Sequence, residues 1–348
     1  MLMFCVNYSS VYKLNVKCLF LVLFSLCSAA GFAQSTTGLT GLKDTSYTTW
    51  SAYKSTVKTH PHIQIALPVS SATITENRDL VYKAIDARKL RLDAFHPATK
   101  AGEKRVAVIF IHGGGWRSGN KEQHHPVAQR LAALGYVCFT PEYRLSTEAL
   151  YPAAIHDLKE AIQWVRAQAT TFGIDTGKVV VAGFSAGGTL AALLGTTNGQ
   201  KVFETFPNTL QTSSRANAII DIDGTLSFVH PDSGEGDDRK KTSAATYWFG
   251  WSKKENETLW WQASPLTHVS AATPPTLFIN SSVARMHAGR DDFTKVLRQF
   301  GIYYKVKTFE DAPHSFPLFH PWFEPTVRAM DTFLKKIFAP DVNVSKPF

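Results

Sequence analysis

One serine in this chain has the surroundings of an activated nucleophile. Ser185 stands in the string Gly183-Phe184-Ser185-Ala186-Gly187, between an apolar run and a stretch of small residues. A sharp turn from strand to helix would hold its hydroxyl clear of a sheet, and that turn needs glycines because side chains there would clash with the backbone. Strings of this form also occur by chance, but this context predicts a serine that attacks a carbonyl once a base takes its proton.

A second glycine-rich string, His112-Gly113-Gly114-Gly115-Trp116, ends an earlier apolar run. Its peptide N–H groups can approach a reacting carbonyl with no side chain in the way. We expect Gly113 and Gly114, joined by Ala186, to donate hydrogen bonds to the oxyanion of a tetrahedral intermediate. A phosphate-binding loop is the rival interpretation, but the chain has neither the Gly-Lys-Ser/Thr nor the GxGxxG pattern.

The base and the acid of a catalytic triad are expected late in the chain. His314, after the last predicted strand, is the expected general base, and His287 is the competitor because it follows the preceding strand. The acid must hold the imidazole in the right tautomer and stabilise the imidazolium. Asp223, which ends an apolar strand, is the first candidate and Asp291 is the alternative. The remaining alternatives are Asp311, Asp292 or a residue that the sequence does not single out.

The elements that position these residues alternate regularly. Short apolar runs and amphipathic helices follow one another from about residue 75 to 338, which indicates one α/β domain with a mostly parallel sheet and helices on both faces. The predicted strands are Leu80–Ile85, Leu90–Phe95, Val106–Ile111, Tyr136–Phe139, Val179–Ala182, Ala218–Ile222, Thr276–Ile279 and Tyr303–Phe309. An irregular, aromatic segment at about residues 225–273 predicts a small cap insertion over one end of the sheet.

The N-terminus has the pattern of an export signal. Lys13 and Lys17 precede the apolar run Cys18–Leu26, and small residues follow up to Gly31-Phe32-Ala33. That order predicts a cleaved signal peptide over residues 1–33 and a periplasmic or extracellular protein, with an uncleaved anchor as the alternative. Residues 34–74 are then a polar N-terminal leader, and residues 339–348 a C-terminal tail.

Composition narrows the classes of function. The 348 residues are 44% hydrophobic and carry a formal charge of +9, which is a globular composition with enough chain for a complete enzyme. The four cysteines show no CxxC spacing, and loss of residues 1–33 leaves Cys138 alone, so we expect no metal, no cofactor and no disulfide. Positive charges are dispersed, which argues against nucleic acid. No other segment has about 18 apolar residues, so we expect no stable membrane insertion.

Taken together, the HGGGW string, the turn at Gly183–Gly187 and the late His314 resemble the α/β-hydrolase fold, in the branch of hormone-sensitive-lipase-like esterases, over about residues 75–338. Other segments more loosely resemble the exported carbohydrate esterases of Bacteroidetes, often grouped with pectin esterases; they are Asp221–Gly224, Tyr247–Gly250, Ala263–Leu266, Ile279–Asp291 and Pro313–Pro325. The resemblance implies Ser185 as nucleophile and His314 as base. The acid of this fold usually follows the next-to-last strand, where this chain has no nearby carboxylate, so that role stays open.

The resemblance also implies an ester on a plant cell-wall polysaccharide. Methyl on galacturonate, acetyl on a sugar hydroxyl and ferulate on arabinose are the three groups to consider. Positive charge favours a pectic chain with free carboxylates, so methyl-esterified pectin is the expected substrate and acetylxylan or feruloyl esters are the alternative. A catalytically inactive homologue that binds polysaccharide is a different class. The candidates for substrate binding are Trp116, Arg285, His287 and Trp322. For any single aromatic residue such as Trp322, packing against the sheet is the favoured alternative. The oligomeric state is left open.

Overall fold

A single eight-stranded sheet carries the site, with strand order β2-β3-β5-β4-β6-β7-β8-β9. A separate two-stranded ladder joins β1 to β10. The strands are β1 (Gln64–Ile65), β2 (Ile74–Ile85), β3 (Arg88–Pro97), β4 (Arg105–Ile111), β5 (Val137–Pro141), β6 (Ile174–Phe184), β7 (Ala218–Ile222), β8 (Thr276–Asn280), β9 (Tyr304–Thr308) and β10 (Phe319–His320). The computed structural model describes residues 34–338 except 70, 71, 101, 205–207 and 209. The predicted signal peptide and C-terminal tail lie outside these residues.

Helices cover both faces of the sheet. They are α1 (Thr49–Thr56), α2 (His125–Ala133), α3 (Ala153–Ala167), α4 (Ala169–Phe172), α5 (Ala186–Thr196), α6 (Ala244–Phe249), α7 (Glu257–Gln262), α8 (Arg290–Gln299) and α9 (Phe323–Phe338). Within β6, Val179 and Val181 face one core while Val180 and Ala182 face the other. Because side chains alternate across a strand, a continuous apolar run is what burial on both faces requires.

Pairing is antiparallel from β2 to β3 and from β3 to β5, and parallel from β5 through β4, β6, β7 and β8 to β9. The mostly parallel α/β sheet predicted from the sequence is therefore confirmed. Parallel strands end at the same edge of a sheet, which is where ligands bind in such folds. The residues that follow β4, β6, β7 and β8 at this edge are His112, Ser185, Asp223 and Ser281.

The polar leader is an ordered part of this fold. It contains α1, which begins with a reciprocal pair of hydrogen bonds between Thr48 and Ser51, and β1, which pairs with β10. Thr56 and Ser315 lie 2.7 Å apart through their hydroxyls, which joins α1 to the loop that carries His314. Leader residues thus reach the edge of the sheet at which the parallel strands end.

The segment predicted as a cap contains α6 and α7, and its aromatic side chains pack inward. Trp248, Phe249 and Trp260 are fully buried. Trp116 stacks on Trp248 with ring centroids 4.9 Å apart and planes 2° apart. The aromatic side chains of this segment therefore form a small core, which packs against Trp116 in the glycine-rich loop after β4. Among the described residues, no helix is both long and apolar enough to cross a membrane.

Candidate active site

The turn at Ser185 has the strained geometry that its glycines predict. Ser185 lies between β6 and α5 with φ +56°, a conformation that non-glycine residues rarely adopt. A Cβ atom at Gly183 would lie 2.0 Å from the carbonyl oxygen of Gly187, and one at Gly187 would lie 2.0 Å from that of Ile111. Only hydrogen fits at either position. The Ser185 N–H donates to the Ile222 carbonyl at 2.8 Å, which fixes the turn to β7.

The structure brings Ser185, His314 and Asp223 into one hydrogen-bonded chain. The Ser185 Oγ lies 2.8 Å from His314 Nε2, and His314 Nδ1 lies 2.8 Å from Asp223 Oδ2. A carboxylate can only accept, so Nδ1 carries the proton and Nε2 is left free to receive one from the serine. The imidazole is 27% exposed, whereas Asp223 is fully buried. This arrangement leaves the hydroxyl within reach of a substrate.

Asp223 is held by more than the imidazole. It has φ +54° directly after β7, and its N–H donates to the Ile279 carbonyl at 3.0 Å. Ser281, one residue beyond β8, donates its N–H to Asp223 Oδ1 at 2.9 Å and its hydroxyl to Oδ2 at 2.5 Å. A buried carboxylate is tolerated only when donors satisfy its oxygens, and here three donors do so.

The alternative acid, Asp291, lies elsewhere. Gly289, with φ +87°, caps the N-terminus of α8, and Asp291 lies in the first turn of that helix, where its side chain is 86% exposed and pairs with Arg290 at 2.9 Å. The other two carboxylates are also engaged away from the imidazole. Asp292 faces His230 at 3.6 Å, and Asp311 accepts from Trp322 Nε1 at 3.1 Å.

Gly113 does not present its N–H to the nucleophile, which corrects the expectation for this residue. That N–H donates to the side-chain oxygen of buried Gln123 at 2.8 Å. Gly113 instead permits close approach, since a Cβ there would lie 3.2 Å from Ser185 Cβ. Within the described part of the chain, no group accepts from the N–H of Gly114, Gly115 or Ala186.

Three available donors therefore lie in the two glycine-rich turns, and two of them, Gly114 and Ala186, were expected from the sequence. The third, Gly115, belongs to the same glycine-rich string, His112–Trp116, so it could have been predicted from that string as well. Ala186 is the first residue of α5, where the helix N-terminus favours negative charge. These groups form the natural place for a developing oxyanion.

A buried aromatic pair holds the glycine-rich loop. His112 stacks on Tyr143 with ring centroids 4.4 Å apart, and the Tyr143 hydroxyl donates to the His112 carbonyl at 3.0 Å. Burial lowers the pKa of His112 to about 4, so the ring is neutral near pH 7 and its Nδ1–H donates to the Gly113 carbonyl at 2.9 Å. His112 thus supports the loop and does not take part as a base.

Of the four candidates for substrate binding, two are buried in packing. Trp116 stacks inside the aromatic core, and Trp322 is enclosed with its Nε1 donating to Asp311. Neither presents a ring face to solvent. Arg285 is exposed and His287 is half-buried in the turn that follows Ser281. Burial lowers the pKa of His287, with a further contribution from Arg290.

A cavity of about 570 Å³ opens beside the imidazole. It is lined by Tyr47, Ser51, Ala52, Ser55, Thr56, Thr59, Pro313, His314 and Ser315. Six of these nine side chains carry a hydroxyl, and none is a lysine, arginine or carboxylate. Burial raises the pKa of Tyr47 to about 12, so its hydroxyl is also neutral. This wall was not predicted, because the leader resembles an unstructured polar segment.

Asp221 is a second buried carboxyl group, two residues before Asp223. It accepts one hydrogen bond, from the Gly224 N–H at 3.0 Å, and its Oδ2 has no hydrogen-bond partner among the described residues. Burial raises the pKa of Asp221 well above its usual value, and the neighbouring Asp223 raises it further. The carboxyl group of Asp221 therefore holds its proton more tightly than an exposed aspartate does.

The sheet order, the turn at Ser185 and the donors around it define an α/β-hydrolase fold of the esterase type. A family model described as BD-FAE matches residues 92–286, more than half of the chain, and the protein belongs to that family. The resemblance inferred from the HGGGW string and the turn at Gly183–Gly187 is confirmed at this level.

Curated relatives are named as esterases. The probable carboxylic ester hydrolase LipM of Mycobacterium tuberculosis is 29% identical over 69% of this chain and 56% of its own length. Esterase LipC of the same organism is 32% identical over 55% of this chain and 47% of its own length. The chain thus spans about half the length of the curated relatives it matches.

Solved structures resemble nearly the whole described fold. Thermogutta terrifontis esterase 2 superposes with a TM-score of 0.63 at 26% identity, over 78% of this chain and 98% of its own. A truncated form of a carbohydrate esterase from gut microbiota gives a TM-score of 0.65 at 20% identity, over 77% of this chain and 99% of its own. At that identity the second likeness shows the fold alone.

Proposed function

We propose that this protein is a serine carboxylic ester hydrolase. The observation that carries the proposal is the continuous chain Ser185 Oγ–His314 Nε2 and His314 Nδ1–Asp223 Oδ2, with both contacts at 2.8 Å. Free peptide N–H groups on two sides of the serine support it, because acyl transfer needs donors for the oxyanion as well as a nucleophile and a base.

Each residue has a defined step. Ser185 Oγ attacks the ester carbonyl while His314 Nε2 takes the hydroxyl proton, and the N–H groups of Gly114, Gly115 and Ala186 stabilise the oxyanion. His314 then gives the proton to the departing alcohol, which leaves an acyl group on Ser185. Water then attacks this acyl-enzyme while His314 Nε2 takes a proton from it. The bond between the acyl group and Ser185 Oγ breaks, the acid is released, and His314 returns the proton to Ser185 Oγ. Asp223 holds the imidazole and stabilises its charged form in both halves.

Two observations support a saccharide ester as substrate. The first is the resemblance of several segments to exported carbohydrate esterases, together with the pattern at residues 1–33 that predicts export from the cytoplasm. The second is the hydroxyl-lined cavity beside His314. An exported enzyme of this kind would meet esterified plant cell-wall polysaccharide in the periplasm or outside the cell.

The cavity favours an acyl group on a sugar hydroxyl over a methyl ester of pectin. His314 protonates the leaving alcohol, so a wall beside His314 contacts that alcohol. Neutral hydroxyls can exchange hydrogen bonds with a sugar, whereas methanol would leave most of the cavity unused. No cationic side chain lines this wall to pair with the carboxylates of pectin. Acetylated or feruloylated xylan is therefore the better match, and methylated pectin, favoured by the net charge of +9, is the second candidate.

Product analysis distinguishes the candidates. We expect wild-type protein to release acetate from acetylated xylan faster than methanol from citrus pectin, and Ser185→Ala to release neither. Dominant methanol release would reverse the order of the two substrates. If the protein binds polysaccharide but turns over no ester, including p-nitrophenyl acetate, the proposal of a hydrolase is wrong. An inactive homologue that binds polysaccharide would then be favoured.

Variants of the cavity wall test the leaving-group assignment. Ser55→Ala/Thr59→Val removes two exposed hydroxyls of the wall, so we expect a higher KM for acetylated xylo-oligosaccharides and unchanged turnover of p-nitrophenyl acetate. Thr171→Val, at an exposed threonine of α4, is the matched control. Equal KM values in all three proteins would contradict a saccharide in this cavity.

A further inference from the structure

A groove of about 690 Å³ lies between β9 and α9, at the outer edge of the sheet. β9 is the last strand in the sheet order, three strands away from β6, which carries Ser185. At about 4.8 Å per strand, the groove is separated from that turn by roughly 14 Å of sheet. The esterase mechanism makes no use of it.

The rim of the groove is cationic. Lys305 and Lys307 project from β9, and Arg328 and Lys336 from α9; all four side chains are exposed. None of the four forms an ion pair with any described residue. The carboxylates of α9 are engaged on other sides, since Glu324 pairs with Arg130 and Asp331 with Lys335. No carboxylate is among the residues that line the groove.

The floor of the groove is apolar and partly aromatic. Tyr303 is 43% exposed and stacks on Phe333, with ring centroids 6.1 Å apart and planes 14° apart. Leu277, Pro325 and Ala329 complete the floor. Sugar rings present C–H faces that pack on such surfaces, and an aromatic ring already held by stacking loses little entropy on binding.

The charges are spread along two lines and do not converge on one point. Lys305 and Lys307 are two residues apart on a strand, about 7 Å, and Arg328 and Lys336 are eight residues apart on a helix, about 12 Å. A single small anion would touch one or two of these cations. An extended chain with repeated carboxylates can meet all of them while its rings pack on Tyr303.

We propose that this groove is a second binding site, which holds a uronate-bearing polysaccharide chain. The site positions the enzyme on an acidic polymer while Ser185 remains free to reach an ester elsewhere on the same material. Part of the protein's excess positive charge therefore lies in this groove, whereas the cavity beside His314 has no lysine or arginine in its wall. Binding at the groove does not depend on ester hydrolysis, so the two proposals fail separately.

Polygalacturonate without ester groups is the probe, because it cannot be a substrate. We expect the triple variant Lys305→Gln/Lys307→Gln/Arg328→Gln to fold as wild type does and to bind polygalacturonate more than about tenfold more weakly. A tenfold loss of affinity corresponds to about 1.4 kcal/mol. Lys240→Gln/Lys241→Gln/Lys254→Gln removes the same charge at exposed positions elsewhere and should bind as wild type. Turnover of p-nitrophenyl acetate should be equal in all three proteins.

Tyr303→Ala separates the aromatic floor from the charges. It should also weaken binding of polygalacturonate, whereas neutral xylan should bind too weakly to show any groove dependence. An equal loss of affinity in the groove variant and the charge-matched control would overturn the proposal in favour of net charge alone. Loss of binding to phosphatidylglycerol vesicles or duplex DNA, with polygalacturonate binding unchanged, would overturn it in favour of another anionic partner.

Discussion

The backbone N–H and the hydroxyl of Ser281 both donate to the carboxylate of Asp223, at 2.9 and 2.5 Å. Ser281 follows β8 and Asp223 follows β7, so the two residues stand at the ends of neighbouring strands. In the fold this chain resembles, the acid usually follows the next-to-last strand. Here that strand supplies donors, and the carboxylate comes from the strand before it.

Asp223→Asn should lower kcat by about 10⁴-fold, because an amide at this position favours the wrong imidazole tautomer. The substitution is isosteric, so the melting temperature should change little. Asp291→Asn is the control, and its exposed side chain predicts wild-type rates. Steady-state kinetics with p-nitrophenyl acetate compare the two variants. A large loss of kcat in Asp291→Asn, with a wild-type kcat in Asp223→Asn, would make Asp291 the acid of the triad.

Ser281→Ala removes the hydroxyl donor and keeps the backbone donor. A hydrogen bond to a charged group contributes about 1.5–3 kcal/mol, so kcat should fall by about ten- to a hundredfold if Asp223 loses its orientation. KM should stay close to wild type because Ser281 is buried away from substrate. Ser281→Thr restores a hydroxyl and should recover part of kcat. A change in KM alone would argue against a positioning role.

Gln123 positions the oxyanion loop through the Gly113 N–H. Gln123→Met keeps the volume of the buried side chain and removes the acceptor, so the loop should lose its alignment with Ser185. We expect kcat to fall by about tenfold, less than the 10²–10³ that follows loss of a direct oxyanion donor. Unchanged kcat, in a protein whose melting temperature has fallen, would show that Gln123 supports only stability.

Asp221 makes stability depend on pH in a defined direction. Its pKa is raised by burial, so the folded protein keeps this proton while the unfolded chain releases it above about pH 3.9. The free energy of unfolding therefore falls as pH rises from that value toward the folded pKa. Asp221→Asn lacks this proton equilibrium, so its stability relative to wild type should increase from pH 4 to pH 8.

Urea unfolding at the two pH values measures that difference. Asn at position 221 leaves the same hydrogen bond from the Gly224 N–H to a side-chain oxygen. A relative stability that is equal at pH 4 and pH 8 would mean that Asp221 is ionised in the folded state. Ser185 and His314 are unaltered, so the variant should remain active.

Strands and tight turns depend mainly on residues close together in the sequence, and these parts of the fold were predicted. Continuous apolar runs identified the parallel strands, and Ala218–Ile222 coincides with β7. The turn at Ser185 followed from its glycines, because a Cβ there meets backbone. The structure places His314 beside Ser185, as expected from its position after the last strand.

Residues distant in the sequence could not be assigned in this way. The choice between Asp223 and Asp291 depends on which strand ends beside His314, and Gln123 takes the Gly113 N–H only because a turn before α2 folds back over the loop. The hydroxyl wall formed by α1 and the turn after it was missed, since Ser51, Ser55 and Thr59 have the composition of a linker. Trp116 and Trp322 were candidates for substrate binding, but tertiary packing buries both.

Covalent labelling tests most directly whether Ser185 is a nucleophile activated by His314. A fluorophosphonate reacts with a serine hydroxyl only when a base takes its proton, and peptide mass spectrometry locates the adduct. We predict one adduct per chain, on Ser185, with none in Ser185→Ala and strongly slowed labelling in His314→Ala. Folded wild-type protein that carries no adduct, or carries it on another residue, would contradict the proposed mechanism.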